Sequence, residues 1–169
     1  MTLKEKLQYI EPASAPTTRT PGATELIYRR LFEAAEAPGK KSADMPRGGE
    51  TIILVEDASW LRELIWRGLQ NCGYTVMESA NGEEAIQLVQ KRQGAIHLLV
   101  SDLGLPGING RRLAERMLAL KPGIKLLYMS GYTAKAVLRH GVLESETAFL
   151  QKPFTLGALA FKVREVLDR

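Results

Sequence analysis

Hydrophobic and polar positions alternate regularly from residue 50 to residue 169. Short apolar runs bounded by polar turns are typical of buried parallel strands, and longer stretches with apolar residues three and four positions apart are typical of amphipathic helices. The pattern predicts strands over 51–56, 75–79, 96–101, 124–129 and 147–150. It predicts helices over 59–72, 83–92, 110–120, 134–140 and 156–168. Such alternation indicates an α/β fold, a parallel sheet with helices on both faces.

The first 49 residues have a different composition. They contain five of the eight prolines and little apolar periodicity. Within this part, only the apolar pattern of residues 25–37 predicts a short helix. Such a helix is too short to be stable alone in water, so it either packs on another part of the protein or stays mobile. Its partial apolar stripe consists of Leu26, Ile27, Leu31 and Phe32. Residues 38–49 are typical of a flexible linker. We expect an N-terminal extension over 1–49 and one domain over 50–169.

Several predicted strands end in residues that carry chemistry. Glu56 and Asp57 close the first strand, Asp102 follows the third, Ser130 follows the fourth and Lys152 follows the fifth. The carboxyl ends of parallel strands meet at one edge of a sheet, where ligands bind in such folds. Three crowded carboxylates are unfavourable unless a cation is present, and oxygen ligands favour Mg²⁺, Mn²⁺ or Ca²⁺ over zinc. A lysine suits a phosphoryl group, so the pattern predicts a site for a cation and a phosphate.

Composition and charge exclude several other classes of protein. Hydrophobic residues make up 45% and charged residues 25% of the chain, as in ordinary soluble proteins. The net charge of +4 is spread evenly, which argues against a nucleic-acid partner. No apolar run has the length of a signal peptide or membrane span. Cys72 is the only cysteine, which excludes an intrachain disulfide and fits a reducing compartment. We expect a cytoplasmic protein without nucleic-acid or membrane partners.

Four motifs carry a family resemblance. They are LVED at 54–57, SDLGLPGING at 101–110, YMSGYT at 128–133 and FLQKPF at 149–154. With these motifs, residues 50–169 resemble the receiver domain of two-component response regulators. The resemblance implies a flavodoxin-like (βα)5 fold, a doubly wound five-stranded parallel sheet in the order 2-1-3-4-5. The last two motifs are most similar to C-terminal receivers of hybrid sensor histidine kinases. The resemblance therefore implies either such a receiver or a stand-alone regulator.

The resemblance also implies roles for the acidic residues. Asp102 corresponds to the phosphoacceptor, a carboxylate that takes a phosphoryl group from a phosphohistidine of a histidine kinase or a histidine phosphotransfer domain. Asp57, Asp102 and the backbone carbonyl of Gly104 correspond to direct Mg²⁺ ligands, and Glu56 to a ligand that acts through a metal-bound water. Gly104 offers no side chain to shield the phosphoryl group or to orient water, so the lifetime of an aspartyl phosphate depends on this position.

The remaining family positions concern the response to phosphorylation. Lys152 corresponds to the phosphate-binding lysine and Pro153 to a cis-proline. Ser130 and Phe149 correspond to the two switch residues. Ser130 stands where threonine is more frequent and keeps the hydroxyl, whereas Phe149 lacks the hydroxyl of a tyrosine but keeps the ring that rotates.

Three aromatic residues are candidates for a partner surface. Trp66 is predicted to lie opposite the apolar face of the first domain helix, with Trp60 at its flank. They either dock the phosphodonor or are incidentally exposed or covered by residues 25–37. Phe161 is predicted to point away from the apolar face of the last helix, where it either forms a homodimer contact or is partly buried.

Three alternative functions are weighed against the phosphoacceptor. A metal-dependent phosphatase would need a second acidic residue where Gly104 stands. A flavin-binding module would need a phosphate loop after the first strand, where Glu56 and Asp57 repel phosphate. A pseudo-receiver used only for protein contacts is disfavoured because the acidic residues and the lysine are all present. We expect a signalling phosphoacceptor that assists its own phosphotransfer and autodephosphorylation, not an enzyme acting on a separate substrate.

Overall fold

The computed structural model describes residues 22–36, 45–132 and 147–169. Its strands are β1 Thr51–Val55, β2 Thr75–Ser79, β3 Leu98–Asp102, β4 Lys125–Ser130 and β5 Ala148–Gln151. Its helices are α1 Ala23–Glu36, α2 Ser59–Asn71, α3 Gly82–Lys91, α4 Gly110–Leu120 and α5 Leu156–Asp168. These bounds agree with the predicted ones to within about two residues, which is the usual uncertainty of helix ends. The helix predicted over 134–140 lies outside the described residues.

The five strands form one parallel sheet in the order β2-β1-β3-β4-β5. The predicted flavodoxin-like topology is therefore confirmed. Asp102 pairs with Met129 and Ser130 pairs with Gln151. Because all strands run in the same direction, the loops that follow β1, β3 and β5 leave the sheet at one edge and bring their first residues together.

The sheet separates two hydrophobic cores. Ile52 and Leu54 on β1 face the core covered by α2 and α5, whereas Ile53 and Val55 face the core covered by α3 and α4. Successive side chains of a strand point to opposite faces, which explains the alternation. All five residues of β1 are buried, as is typical of a central parallel strand. The packed strand fixes the position of the acidic residues at its end.

Helix α1 packs on the outside of α2 and α5. Its anchor is Tyr28, which is only 1% exposed. The ring of Tyr28 lies 5.4 Å from the ring of Trp60 and 5.6 Å from that of Phe154, measured between centroids. Leu31 packs against the same core. Of the two alternatives that the sequence leaves for residues 25–37, packing on the domain is the arrangement in the structure.

The end of the predicted linker is also held by the domain. Met45 packs against the α2/α5 core, and the N–H of Gly48 donates a hydrogen bond to the carbonyl of Cys72 at 3.1 Å. Residues 45–49, the last part of the predicted linker, are thus tied to the domain by the half-buried Met45 and by a backbone hydrogen bond to the end of α2. Residues 37–44 lie outside the described part of the chain.

Helix α4 begins directly against the end of β3. Asn109 caps it, its side chain accepting a hydrogen bond from the N–H of Arg112 at 3.0 Å. Gly110, the first helical residue, approaches so closely that a Cβ there would overlap the carbonyl oxygen of Asp102 and lie 3.0 Å from the Cα of Leu103. Only glycine permits this contact between the helix start and the strand that carries Asp102.

We expect Gly110→Ala to lower the free energy of unfolding by about 1–3 kcal/mol, the usual range for a side chain forced into packed surroundings. The neighbours in contact are backbone atoms, which cannot rotate away. Urea unfolding measures the change. Gly49→Ala is the matched control, because a Cβ at Gly49 would meet nothing within 4 Å. Equal losses in the two variants would contradict the close approach.

Candidate functional site

The acidic residues meet at the carboxyl edge of the sheet. Glu56, the first residue after β1, is 1% exposed, whereas the next residue, Asp57, is exposed to solvent. One carboxylate oxygen of each of Glu56, Asp57 and Asp102 lies within 4.8 Å of those of the other two. The predicted convergence of these three carboxylates is therefore present in the structure.

The Glu56 carboxylate is held by backbone and lysine contacts. Its Oε1 accepts a hydrogen bond from the N–H of Ala58 at 3.2 Å, and its Oε2 accepts one from Lys152 at 2.6 Å. The N–H of Glu56 itself donates to the carbonyl of Ser79 at 3.2 Å, which continues the pairing of β1 with β2. These contacts fix one carboxylate inside the protein and leave its neighbour Asp57 toward solvent.

Lys152 bridges two of the carboxylates. Its ammonium group donates hydrogen bonds to Glu56 Oε2 at 2.6 Å and to Asp102 Oδ2 at 2.9 Å. The backbone N–H of Lys152 donates to the carbonyl of Ser130 at 2.8 Å, so the lysine begins where β4 and β5 end together. The peptide bond from Lys152 to Pro153 is cis, as the resemblance implied.

Burial and charge act in opposite directions on this cluster. Burial raises the pKa of Glu56, and the nearby Lys152 ammonium only partly opposes this effect. Burial alone would lower the pKa of Lys152, but Glu56 and Asp102 outweigh it and raise the pKa, so the lysine stays charged. One ammonium cannot neutralise three carboxylates. The site therefore keeps an excess of negative charge, which favours a cation.

The donor set fits a hard divalent cation. The converging ligand atoms are carboxylate oxygens, and Mg²⁺ uses one or two carboxylates together with waters and phosphate oxygens. Asp102 Oδ1 also accepts a hydrogen bond from the backbone N–H of Gly104 at 3.0 Å. A Cβ at Gly104 would have Asp102 Oδ1 as its nearest neighbour, at 3.8 Å, so a side chain could be accommodated there.

The two predicted switch residues lie on β4 and β5. Ser130 is buried, and its Oγ accepts a hydrogen bond from the N–H of Tyr132 at 3.2 Å. Phe149 is half-buried, packs against the α3/α4 core and pairs in register with Tyr128. Ser130 thus lies at the site edge, and Phe149 lies one strand further out.

Arg62 supports the acidic loop from α2, a role that the sequence did not predict. One guanidinium nitrogen donates to the carbonyl of Glu56 at 2.6 Å, and another lies 3.7 Å from a carboxylate oxygen of Glu78 on β2. Arg62 therefore ties the loop after β1 to the neighbouring strand. The only signal in the sequence is an arginine one turn into the helix that follows the acidic pair, which does not distinguish this role from an exposed charge.

The three predicted surface aromatics differ in exposure. Phe161 is 59% exposed on α5, in agreement with its predicted orientation. Trp60 is half-buried beneath Tyr28. Trp66 was predicted to lie opposite the apolar face but is half-buried and packs against the α2/α5 core. Of the alternatives left open for Trp66, a covered side chain is the one in the structure, because α2 contacts α1 and α5 in addition to the sheet, so more of its circumference is covered than one apolar stripe indicates.

Within residues 22–36, 45–132 and 147–169, no helix has both the length and the apolar character needed to cross a membrane.

Comparison with known proteins places these features in a family. Residues 52–164 match the model of the response regulator receiver domain. The chain is 36% identical over 136 residues to the sensor kinase CckA of Brucella abortus (strain 2308), which covers 80% of this chain and 14% of the kinase. It is 28% identical over 116 residues to the response regulator receiver protein CpdR of the same organism, covering 69% of this chain and 95% of CpdR.

Solved structures show the same fold. The crystal structure of the receiver domain from the hybrid histidine kinase CckA is 33% identical, with a TM-score of 0.59, covering 69% of this chain and 98% of that domain. The chemotaxis response regulator CheY4 of Vibrio cholerae is 26% identical, with a TM-score of 0.61, covering 70% of this chain and 99% of CheY4. The family match spans most of the chain and includes the acidic cluster and the lysine. The chain therefore belongs to the receiver domains of two-component response regulators.

Proposed function

We propose that this protein is a cytoplasmic phosphoacceptor in a phosphorelay. Asp102 takes a phosphoryl group from a phosphohistidine of a histidine kinase or a histidine phosphotransfer domain. The observation that carries this proposal is the bridge from Lys152 to Glu56 and Asp102, at 2.6 and 2.9 Å, beside a cluster of three carboxylates. A half-buried ammonium placed on an acceptor carboxylate is suited to balance the charge of a phosphorylated product.

The chemical step transfers the phosphoryl group between two nucleophiles. A carboxylate oxygen of Asp102 attacks phosphorus, the P–N bond to the imidazole breaks, and its electron pair stays on the nitrogen of the donor. Glu56, Asp57 and Asp102 would hold Mg²⁺, with the backbone of Gly104 as the proposed further ligand. When bound, this ion supplies positive charge that offsets the negative charge on the transferring group.

Lys152 holds the charge balance before and after transfer. It remains hydrogen-bonded to the buried Glu56, which anchors the ammonium in place. Its second contact, to Asp102 Oδ2, lies on the acceptor itself. After transfer we propose that this second contact passes to an oxygen of the phosphoryl group, while the first contact is kept.

The response to phosphorylation uses Ser130 and Phe149. We propose that the Ser130 hydroxyl, which accepts from the N–H of Tyr132, turns toward phosphorylated Asp102. Phe149 then packs into the space that is vacated. Phosphorylation thereby shifts an equilibrium between two conformations of the domain.

Two further elements of the proposal concern partners. The half-buried Trp60 and Trp66 contribute to the surface that meets the phosphodonor, and the exposed Phe161 contributes to a homodimer through the last helices. The chain is either a stand-alone regulator or the receiver of a hybrid kinase, since it matches 95% of CpdR and 14% of the CckA kinase. Phosphotransfer from a panel of phosphorylated kinases and phosphotransfer domains identifies the donor.

We expect Asp102→Asn to abolish labelling by radioactive acetyl phosphate in the presence of Mg²⁺, because the amide cannot act as the nucleophile. EDTA should abolish labelling of the wild-type chain as well. Asp168→Asn, the same change at an exposed carboxylate on the last helix, should be labelled like wild type. Persistent labelling of Asp102→Asn would sink the assignment of the acceptor.

We expect Gly104→Met to slow the loss of the phosphoryl group several-fold, because a long side chain next to the acceptor shields it from water. Gly104→Ala should stay near the wild-type rate, since a single Cβ at 3.8 Å from Asp102 Oδ1 fits but does not reach over the group. Single-turnover decay of labelled protein measures the lifetime. Identical decay in all three proteins would show that this position does not control it.

We expect Lys152→Met to lower the free energy of unfolding by about 3–5 kcal/mol, the cost of leaving a buried charge without its partner. The combination with Glu56→Gln should lose less than the two single changes together, since the amide does not need the ammonium. Urea unfolding in EDTA measures this cycle. Lys162→Met, which breaks a surface pair with Glu165, should cost at most about 1 kcal/mol. Additive losses at Glu56 and Lys152 would contradict their coupling.

A further inference from the structure

Helix α1 lies outside the residues that match the family, yet it reaches the rim of the phosphorylation site. Tyr28 is fully buried between Trp60 and Phe154. Trp60 follows the acidic pair in the first turn of α2, and Phe154 follows the Lys152–Pro153 bond. The three rings therefore form one aromatic cluster, and two of them follow the acidic pair and the lysine closely in the chain.

Electrostatics also place Tyr28 near the acidic residues. Burial, followed by the charge of Glu56 and then that of Asp102, raises the pKa of the Tyr28 hydroxyl above its usual range, against the effect of a backbone hydrogen bond with Phe154. The anchor of α1 therefore lies within the electric field of the site.

The size of a protein interface determines whether α1 lies in the way of a protein that docks at Asp102. A phosphohistidine on a protein must come within bonding distance of Asp102, and a stable protein contact covers about 800 Å² on each partner, a disc of roughly 16 Å radius. Tyr28 touches residues only two and three positions from Lys152 and Asp57. Helix α1 therefore lies inside the footprint of a protein donor, whereas acetyl phosphate needs only the cleft itself.

Within residues 22–31, the hydrophobic side chains of α1 that pack against the domain core are those of Tyr28 and Leu31. Among residues 22–31, Tyr28 is the only buried one, and Leu26 and Ile27 are 46% and 50% exposed. A helix of 14 residues is marginal in water without tertiary contacts. A competing helix that fills the same aromatic pocket can therefore displace α1.

We propose that α1 is an autoinhibitory element: it covers the face between α2 and α5, bounded by Trp60 and Phe154, and a helix of the histidine-bearing donor displaces it there before transfer. This inference rests on the proposed function. A helix suits this face, because its present occupant is a helix whose Tyr28 is buried there. Access to Asp102 is then restricted for proteins and unrestricted for small phosphodonors.

The test compares two phosphodonors on three full-length proteins. Wild type, Tyr28→Ala and Tyr28→Phe are each labelled with acetyl phosphate and with every member of a panel of phosphorylated histidine kinases and phosphotransfer domains. Tyr28→Ala should accept phosphate from a protein donor about tenfold faster than wild type, which corresponds to about 1.4 kcal/mol. Its acetyl phosphate rate should stay within about twofold. Tyr28→Phe keeps the ring and should behave as wild type with both donors.

Three observations distinguish release of α1 from misfolding of the domain. Normal labelling of Tyr28→Ala by acetyl phosphate shows that its site is intact. Leu31→Ser removes a second contact of α1 with the core and should also accelerate transfer from the protein donor. Release of the helix should expose Trp60, so acrylamide should quench tryptophan fluorescence more strongly in both variants.

The outcomes separate this inference from the proposed function. Unchanged or slower transfer from the protein donor to Tyr28→Ala, with normal acetyl phosphate labelling, overturns the inference. The same conclusion follows if no panel member labels either protein while acetyl phosphate labels both. If acetyl phosphate labels neither wild type nor Tyr28→Ala, the proposed function fails instead.

Discussion

The bridge from Lys152 to Glu56 and Asp102 is the interaction on which the rest of the site depends. In the sheet order β2-β1-β3-β4-β5, Lys152 follows the edge strand but donates to carboxylates at the ends of β3 and β1. The ammonium therefore spans the end of β4 and joins three strands at one edge. The two carboxylates outweigh the effect of burial on the half-buried Lys152 and raise its pKa, so the lysine stays charged. Packing of both cores against β1 prevents Glu56 from moving toward solvent.

The neighbouring residues Glu56 and Asp57 show how one loop creates two electrostatic environments. Glu56 is buried, bonded to a backbone N–H and to Lys152, whereas Asp57 is exposed. The buried carboxylate holds the lysine in place, and the exposed one adds negative charge where ions can enter. Arg62 fixes the backbone between these environments through the carbonyl of Glu56. If the two residues were exchanged, the aspartate would take the buried position that holds the lysine, and the glutamate would take the exposed position.

The sequence predicted the strands and the acidic convergence because both follow from local patterns. Apolar runs locate buried strands, and parallel strands share a carboxyl edge. The strand order came from the family resemblance and is confirmed. Arg62 was missed because an arginine in the first turn of a helix does not differ in sequence from an exposed charge. Tyr28 was missed because it contacts Trp60 and Phe154, which are distant from it in the chain. The sequence left open whether Trp66 is covered, because a helical stripe indicates one covered face, whereas α2 contacts the sheet, α1 and α5.

Chemistry and access are therefore controlled by different parts of this molecule. The charged cluster is built from strand ends, which are held by two cores and change little without loss of the fold. Tyr28 is held by two ring contacts on a marginal helix, so the free energy of its docking can vary without disturbing the cluster. A protein donor binds only the molecules in which α1 is displaced, so its apparent affinity falls with the fraction of such molecules. Each 1.4 kcal/mol in the docking free energy of α1 changes that affinity about tenfold. Substitutions along α1 can therefore set a threshold for protein donors while the carboxylates and the lysine stay unchanged.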